Sequence, residues 1–246
     1  IFFGNGDGTF SDKAQAAGVQ DPFRSFGGTF EDFNNDGWPD LFIPKYEFNS
    51  GVKSRVYINN QDGTFRDISD FAGMSSQGDM GHNTSDVNAD GYPDILIGTG
   101  HPFQVRNDLV KAMFPVLNSD SMKSHEAARF MGLDSVGLSR SHGYALGDID
   151  NDGDIDFIFH NLKAKTALGN QIACFINDGK ANFSIDKKCV SPPPAKRGSK
   201  YHSWGGTLFD LNGDNHLDLW LSRNTENTPI VLLGDGSGKF SEENVV

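Results

Sequence analysis

Basic residues are scarce in this sequence. Its 246 residues include 21 lysines and arginines against 33 aspartates and glutamates, so the formal net charge is −12. Binding to nucleic acid requires a basic surface that neutralises phosphates, and the composition therefore argues against a nucleic-acid partner. Apolar runs are short as well, and none approaches the roughly 20 residues of a membrane-spanning helix. We expect no membrane span in this chain.

Cysteine and catalytic signatures are also rare. The two cysteines, Cys174 and Cys189, flank a predicted hairpin turn at 177–180, where a disulfide and two buried thiols both fit. The stretch 125–129 begins like a zinc-protease motif, but Arg129 replaces its second histidine. The sequence contains neither a Gly-x-Ser-x-Gly nor a Cys-x-x-Cys motif. These absences predict a protein that is not an enzyme.

Glycine and phenylalanine are abundant, with 29 and 20 residues, and the chain repeats itself. Four segments align without a gap, each with a glycine five residues before its first motif aspartate: 25–44, 79–98, 141–160 and 203–222. A glycine kept at one place in a strand suggests close backbone approach near a crowded axis. Patterns of strand, glycine turn and strand also recur, at 1–11, 56–68, 174–185 and 231–241. Four short strands in each unit are typical of a propeller blade.

We therefore predict an all-β fold, a β-propeller of four-stranded blades with four full blades plus a half blade, forming a single region over 1–246. The second blade has a degenerate outer hairpin with a helix at 125–131, and a linker at 187–200 follows the third. Because the opening hairpin has no inner half, we expect a section of a larger propeller and not a closed ring. The predicted units are an outer half blade at 1–12 and blades at 25–70, 79–136, 141–189 and 203–243.

Each repeat carries an acidic loop of the form Asp-x-Asp/Asn-x-Asp-Gly/Asn-x-x-Asp, numbered here from position 1 to position 9. Positions 1, 3, 5 and 9 supply side-chain oxygens, and position 7 supplies a backbone carbonyl. Loop 1 comprises Asp32, Asn34, Asp36, Trp38 and Asp40; loop 2 comprises Asp86, Asn88, Asp90, Tyr92 and Asp94; loop 3 comprises Asp148, Asp150, Asp152, Asp154 and Asp156; loop 4 comprises Asp210, Asn212, Asp214, His216 and Asp218.

The loops predict calcium, about four ions in all. Crowded carboxylates repel one another without a cation, and calcium prefers six to eight hard oxygen ligands. A sharp turn is expected at position 6, where Asn215 replaces glycine in loop 4. An EF-hand needs a glutamate at position 12, but that position is apolar in every repeat. Loop 3 offers four carboxylates and the others three each, so loop 3 should bind most tightly. Loop 4 also lacks the turn glycine, so it should bind most weakly unless Asn215 tolerates the left-handed backbone well.

These residues resemble the FG-GAP and VCBS repeats of integrin-α-like propellers, and within that family they are most similar to the cartilage acidic protein and ASPIC/UnbV group. The resemblance rests on His142-Gly143 ahead of 148–153 and on the Asn-x-x-Asp-Gly-Thr-Phe hairpin at 59–65. It implies a secreted or surface-exposed propeller, often of seven blades, used for adhesion, recognition or assembly.

The sequence thus predicts a calcium-stabilised extracellular module, periplasmic or cell-surface if bacterial, that binds a protein or glycan ligand and belongs to a larger chain or assembly. Cytosolic calcium would hardly fill such loops. The alternative is a calcium-dependent carbohydrate-active protein, a polysaccharide lyase or lectin that uses the central channel. Convergence of His142, His202, Arg140 and Tyr144 on a cleft would favour that alternative. His82 and Trp204 also precede acidic loops, and ordinary packing is the competing role for such residues.

Overall fold

The computed structural model describes part of the chain in detail, and the fold is stated for that part. The described residues are 1–46, 52–70, 72, 79–99, 107–110, 141–161, 172–180, 182–186, 188–191, 203–223 and 229–242. Every regular element within these ranges is a β-strand, as the all-β prediction requires. Over the same ranges no helix is long and apolar enough to cross a membrane. The predicted helix at 125–131 lies outside them.

The strands form five sheets in chain order. An opening hairpin pairs β1 with β2, blade 1 contains β3–β6, blade 2 β7–β9, blade 3 β10–β13, and blade 4 β15–β18, with β14 added at its outer edge. The strands are β1 Phe2–Gly4, β2 Phe10–Asp12, β3 Thr29–Glu31, β4 Asp40–Ile43, β5 Arg55–Asn59, β6 Phe65–Asp67, β7 Asp79–Ser85, β8 Asp94–Thr99, β9 Asn107–Val110, β10 Ser141–Gly147, β11 Asp156–Asn161, β12 Ile172–Asn177, β13 Phe183–Asp186, β14 Val190–Ser191, β15 Ser203–Phe209, β16 Asp218–Arg223, β17 Ile230–Gly234 and β18 Phe240–Glu242.

The core lies between the sheets, face against face. Phe33 and Phe42 of blade 1 share a cluster with Ile95 of blade 2, and Ile158 of blade 3 shares another with Leu219 and Leu232 of blade 4. The first strands of successive blades are neighbours: β3 lies near β7, and β10 lies near both β7 and β15. Stacked antiparallel sheets whose first strands adjoin are the arrangement of propeller blades, which confirms the predicted fold class.

The opening hairpin forms a sheet of its own beside blade 1. In register it matches the outer halves of the other blades, because Gly4 pairs with Phe10 as Asn59 pairs with Phe65. Its Phe2 and Phe10 side chains are both 68% exposed, whereas Tyr57, in the place of Phe2, is 4% exposed. Within the described residues this hairpin forms no sheet with blade 4; that the chain is a section of a larger propeller stays a prediction.

In three of the blades, the glycine before the acidic loop follows an irregularity in strand pairing. In blades 2, 3 and 4 the pairing of the first two strands shifts register just before Gly81, Gly143 and Gly205, so each glycine follows a bulge. A Cβ placed on Gly205 would meet no atom within 4 Å. The predicted close backbone approach is therefore wrong at Gly205, where the glycine serves the irregular strand start.

The predicted linker after blade 3 also needs correction. Val190 and Ser191 form β14, which pairs in parallel with Phe240 and Ser241 at the outer edge of blade 4. Just before β14, Cys189 forms a disulfide with Cys174 of blade 3, with the two Cα atoms 6.0 Å apart. This confirms the disulfide over two free thiols. The disulfide lies in the apolar cluster between blades 3 and 4. It connects the residue before β14, the edge strand of blade 4, to β12, the third strand of blade 3.

Removing the disulfide should weaken the contact between blades 3 and 4. For the 15-residue separation of the two cysteines, the loss of chain restriction is worth about 3 kcal/mol in the free energy of unfolding. We expect Cys174→Ala/Cys189→Ala to lower stability by about 2–4 kcal/mol in urea titrations. A reductant should lower the stability of the parent protein and leave that of the double variant unchanged. Equal stability of the parent and the double variant without reductant would contradict a stabilising role of the disulfide.

Candidate metal centre

Two left-handed residues shape each acidic loop. Position 6 has positive φ at Gly37, Gly91, Gly153 and Asn215, with values of 87°, 88°, 94° and 66°. The turn predicted at this position, including its asparagine in loop 4, is therefore confirmed. Sequence reasoning missed position 4, which is also left-handed, at Asn35, Ala89, Asn151 and Gly213. Asparagine and glycine adopt this conformation most readily, so their presence at position 4 was the available signal.

The position 1 aspartate organises the turn around itself. In loop 3, Asp148 Oδ1 accepts a hydrogen bond from the Asp152 N–H and Asp148 Oδ2 accepts one from the Gly153 N–H, both at 3.0 Å. The same two bonds occur in loops 1, 2 and 4. Each carboxylate oxygen can accept more than one contact, so this arrangement leaves position 1 able to bind a cation.

The position 9 aspartate is a buried brace between the loop and the outer hairpin. Asp156 is 0% exposed, its Oδ2 accepts from the Ile149 N–H at 3.0 Å, and its Oδ1 accepts from the Asn177 N–H on β12 at 2.8 Å. Asp40 and Asp218 make the same pair of bonds in blades 1 and 4. One carboxylate thus fixes the loop, the second strand and the third strand of its blade.

Burial changes the acidity of Asp40 and Asp156. Desolvation raises the pKa of Asp40 and of Asp156 to about 6, and nearby loop aspartates add to the rise. The backbone N–H donors oppose it by stabilising the ionised form. A cation among the loop carboxylates would favour ionisation further, because opposite charge stabilises the carboxylate. The loops are therefore electrostatically suited to a cation.

Loop 3 brings its carboxylates closest together. Oxygen atoms of Asp148, Asp150 and Asp156 lie within 4.8 Å of one another, the one such group of three acidic, histidine or cysteine residues in the described part of the chain. Asp150 Oδ1 is buried without a hydrogen-bond partner, and burial together with Asp152 raises the pKa of this side chain. A buried carboxylate oxygen with no donor costs free energy unless a cation compensates it. Carboxylate oxygens are the hard donors that calcium prefers.

An asparagine at position 3 adds a hydrogen bond to the interior of loops 1 and 4. In loop 1, Asn34 Nδ2 donates to Asp36 Oδ2 at 3.0 Å, and in loop 4, Asn212 Nδ2 donates to Asp214 Oδ2 at 2.9 Å. The amide therefore relieves part of the repulsion that loop 3 retains. In every loop, position 5 also accepts a hydrogen bond from the N–H of the position 7 residue. The structure places all the predicted ligand residues in these turns; their role as calcium ligands stays a prediction.

The alternative site in the channel receives little support from the described residues. Tyr144 is 4% exposed and packs edge-on against Phe157 with ring centroids 5.8 Å apart. His82 packs against Phe42 at 5.3 Å, and burial lowers its pKa, as expected for a packing histidine. Arg140 and His202, and the side chains of His142 and Trp204, lie outside what the structure describes.

Comparisons with known proteins agree with this architecture. Residues 47–97, from just after β4 into β8, match the model of the FG-GAP-like repeat. The chain is 25% identical over 244 residues to integrin alpha-5 of Xenopus laevis, covering 90% of this chain and 22% of the relative. It is 26% identical over 176 residues to human cartilage acidic protein 1, covering 68% and 24% respectively. The chain spans about a quarter of the length of these curated relatives.

The left-handed alanine in loop 2 should be a point of strain. Ala89 is exposed with φ of 54°, a conformation that costs an alanine about 1 kcal/mol more than a glycine. Ala89→Gly should therefore raise the free energy of unfolding by about 0.5–1 kcal/mol. Ala16→Gly, at an exposed position without positive φ, should be neutral or destabilising. Equal effects of the two substitutions in denaturant titrations would contradict this assignment.

Proton binding by the buried aspartates should make the metal-free protein more stable as pH falls. The pKa of Asp40 and Asp156 is about 6 in the folded protein against an ordinary value of 3.8. The folded state therefore binds more protons, and this contribution is present below about pH 4 and lost as pH rises through about 6. With chelator, the free energy of unfolding should increase from about pH 7 to about pH 5. The slope should flatten in Asp40→Asn/Asp156→Asn, and a decrease over that range would contradict the prediction.

Proposed function

We propose that this chain, which contains an FG-GAP-like repeat, is a calcium-stabilised propeller module for binding, adhesion or assembly outside the cytoplasm. The observation that carries the proposal is loop 3, where three carboxylates lie within 4.8 Å and one of their oxygens is buried without a donor. The other loops repeat its left-handed turns and its position 1 hydrogen bonds. We assign one calcium ion to each loop, about four in total.

The proposed ligands are the predicted ones, with side chains from positions 1, 3, 5 and 9 and a main-chain carbonyl from position 7. Position 9 gives the ion its structural effect, because Asp40, Asp156 and Asp218 already join the loop to the outer hairpin. A cation that keeps this carboxylate ionised strengthens both of its hydrogen bonds. Calcium would then stabilise each blade through the buried carboxylate at position 9. We further propose that the predicted blades form a single propeller region over 1–246.

The stabilisation expected from calcium is comparable with the net stability of a whole domain. At about 1 mM calcium, a site with a dissociation constant of about 0.1 mM adds about 1.4 kcal/mol. Four such sites add about 6 kcal/mol, against a typical domain stability of about 5–15 kcal/mol. Such sites fill outside the cytosol, and the buried disulfide between blades 3 and 4 also favours an oxidising compartment. Both arguments support a secreted, cell-surface or periplasmic location.

The partner we propose is a protein or a glycan, in keeping with the FG-GAP resemblance. A direct test is capture of immobilised extracellular proteins and glycans by the purified chain, with calcium and with chelator. Capture that requires calcium and is inhibited by the free ligand would support a role as a binding module. Turnover of a polysaccharide, seen as newly formed chain ends, would favour the carbohydrate-active alternative instead.

Removing calcium should destabilise the fold. We expect EDTA to lower the melting temperature by at least several degrees, and excess calcium, but not the same excess of magnesium, to restore it, because magnesium dehydrates reluctantly and demands stricter geometry. Asp148→Ala should reduce the number of bound ions by one in equilibrium dialysis. An unchanged melting temperature in EDTA would show that the ions do not hold the fold.

Carboxylate count at position 3 should set the affinity of each loop. Asp150→Asn gives loop 3 the ligand set of loop 1, and Asn34→Asp gives loop 1 that of loop 3. Calorimetric titration should show weaker binding at loop 3 in the first variant, and tighter binding at loop 1 in the second, by up to about tenfold, since affinity rises with ligand charge. Opposite directions would overturn the charge ranking.

A further inference from the structure

We propose that three asparagines, Asn35, Asn151 and Asn177, link neighbouring acidic loops and couple their ion binding. The inference rests on the proposed calcium function. Each side-chain amide donates a hydrogen bond to a loop or hairpin carbonyl of an adjacent blade. Together the three links join the four loops in blade order. They are positioning residues, since position 4 and β12 supply no proposed ligand.

Loop 1 is joined to loop 2 by Asn35. This exposed residue occupies position 4 of loop 1, and its Nδ2 donates to the Gly91 carbonyl oxygen at 2.6 Å. Gly91 is position 6 of loop 2, and its carbonyl belongs to the peptide group that contains the Tyr92 nitrogen. That N–H in turn donates to Asp90 Oδ1 at 3.0 Å. A change in the conformation of loop 2 therefore reaches loop 1 through a single hydrogen bond.

Loop 2 is joined to loop 3 by Asn177, which is 4% exposed. Its Nδ2 donates to the Val87 carbonyl oxygen of loop 2 at 2.7 Å and to the Ile155 carbonyl oxygen of loop 3 at 3.0 Å. Its backbone N–H also donates to Asp156 Oδ1, the position 9 brace. This asparagine therefore contacts both loops directly. Ala89, at position 4 of loop 2, has no side-chain amide to donate to loop 3, and Asn177 supplies the link between loops 2 and 3 instead.

Loop 3 is joined to loop 4 by Asn151, again at position 4. Its Nδ2 lies 3.0 Å from Nδ1 of His216 in loop 4, and it also donates to the Gly236 carbonyl oxygen at 3.3 Å. The Gly238 N–H of the same hairpin turn donates to the Ile149 carbonyl oxygen of loop 3 at 2.9 Å. A turn of blade 4 is thus hydrogen-bonded to the metal loop of blade 3.

These links imply cooperative ion binding. An ion that fixes one loop also fixes the carbonyl or amide shared with the next loop, so the next ion binds to a loop already ordered. By linkage the effect is reciprocal between the two sites. The net value of one hydrogen bond corresponds to about 2- to 10-fold in affinity, and we expect coupling of that size between loops 1 and 2.

The loops carry their own optical probes. Trp38 stands at position 7 of loop 1 and Tyr92 at position 7 of loop 2, beside the proposed carbonyl ligands. Terbium(III), which takes oxygen sites like those of calcium, emits when a neighbouring indole is excited selectively. The chain also contains Trp204 and Trp220, so only the part of the terbium emission that Trp38→Phe removes measures occupancy of loop 1.

The experiment is a double-variant cycle. Loop 2 is disabled by Asp86→Ala or, more mildly, by Asn88→Ala, and the link is removed by Asn35→Gly, which keeps the left-handed backbone available. In the parent protein, disabling loop 2 should weaken terbium binding at loop 1 about 2- to 10-fold. In the Asn35→Gly background the same change should have no effect. A merely structural loss of stability in Asn35→Gly would not abolish this difference.

The possible failures are distinguishable. Absence of any Trp38-dependent emission, in the parent protein and in all variants, would contradict the proposed metal function itself. Emission with normal affinity that is insensitive to both loop 2 variants would overturn the coupling and leave the metal function intact. Equal sensitivity with and without Asn35 would likewise overturn the role assigned to this residue.

Discussion

The structure depends on a buried carboxylate at the end of each acidic loop. Asp40, Asp156 and Asp218 are each 0% exposed, and each accepts backbone hydrogen bonds from its own loop and from the third strand of its blade. A carboxylate taken out of water is costly unless its oxygens are satisfied. The two backbone N–H donors, one from the loop and one from the third strand, offset much of that cost. A cation beside the same carboxyl group would offset more of it, so folding and the proposed ion binding would depend on the same atoms.

The position of this brace explains why the repeat is so regular at one end of the blade. The first two strands of each unit meet at the acidic loop, and the brace attaches the third strand to them. At the other end of the strands, blade 1 uses a different device. Lys45 is 2% exposed and lies 3.2 Å from Asp21, which also pairs with Arg55 at 3.3 Å. No corresponding lysine, aspartate and arginine stand at these positions of the other repeats.

Much of the fold could be predicted from the sequence because the determining contacts are local. Strand, acidic loop and strand lie within 20 residues, and the hairpin turns are marked by glycine and aspartate. Period and spacing therefore indicated the blades, and the left-handed turn at Asn215 followed from its place in the motif. Ala89 carried no such signal, because alanine is unusual in a left-handed conformation and gave no reason to expect one at position 4.

Contacts between blades were beyond sequence reasoning for a physical reason. Asn177 and the Val87 carbonyl are distant in the chain, and the acceptor is a backbone atom that exists at every residue. Nothing in the local pattern identifies which carbonyl an asparagine will reach. The same holds for β14, where two residues after Cys189 join a sheet made mainly of later strands. Cysteine spacing suggested the bond to Cys174 but not that it would join two blades.

These contacts between blades decide how the repeats behave as a unit. In a repeat protein, stability is the sum of terms within each repeat and terms between neighbours, and the second kind determines cooperativity. Here the apolar clusters pack between the sheets, while the asparagine links contact the loops themselves. Apolar packing tolerates small shifts, whereas a hydrogen bond weakens steeply as its geometry departs from the optimum. The coupling proposed above therefore assigns the transfer of loop geometry from blade to blade to the asparagine links, which join each of loops 1, 2 and 3 to an element of the next blade.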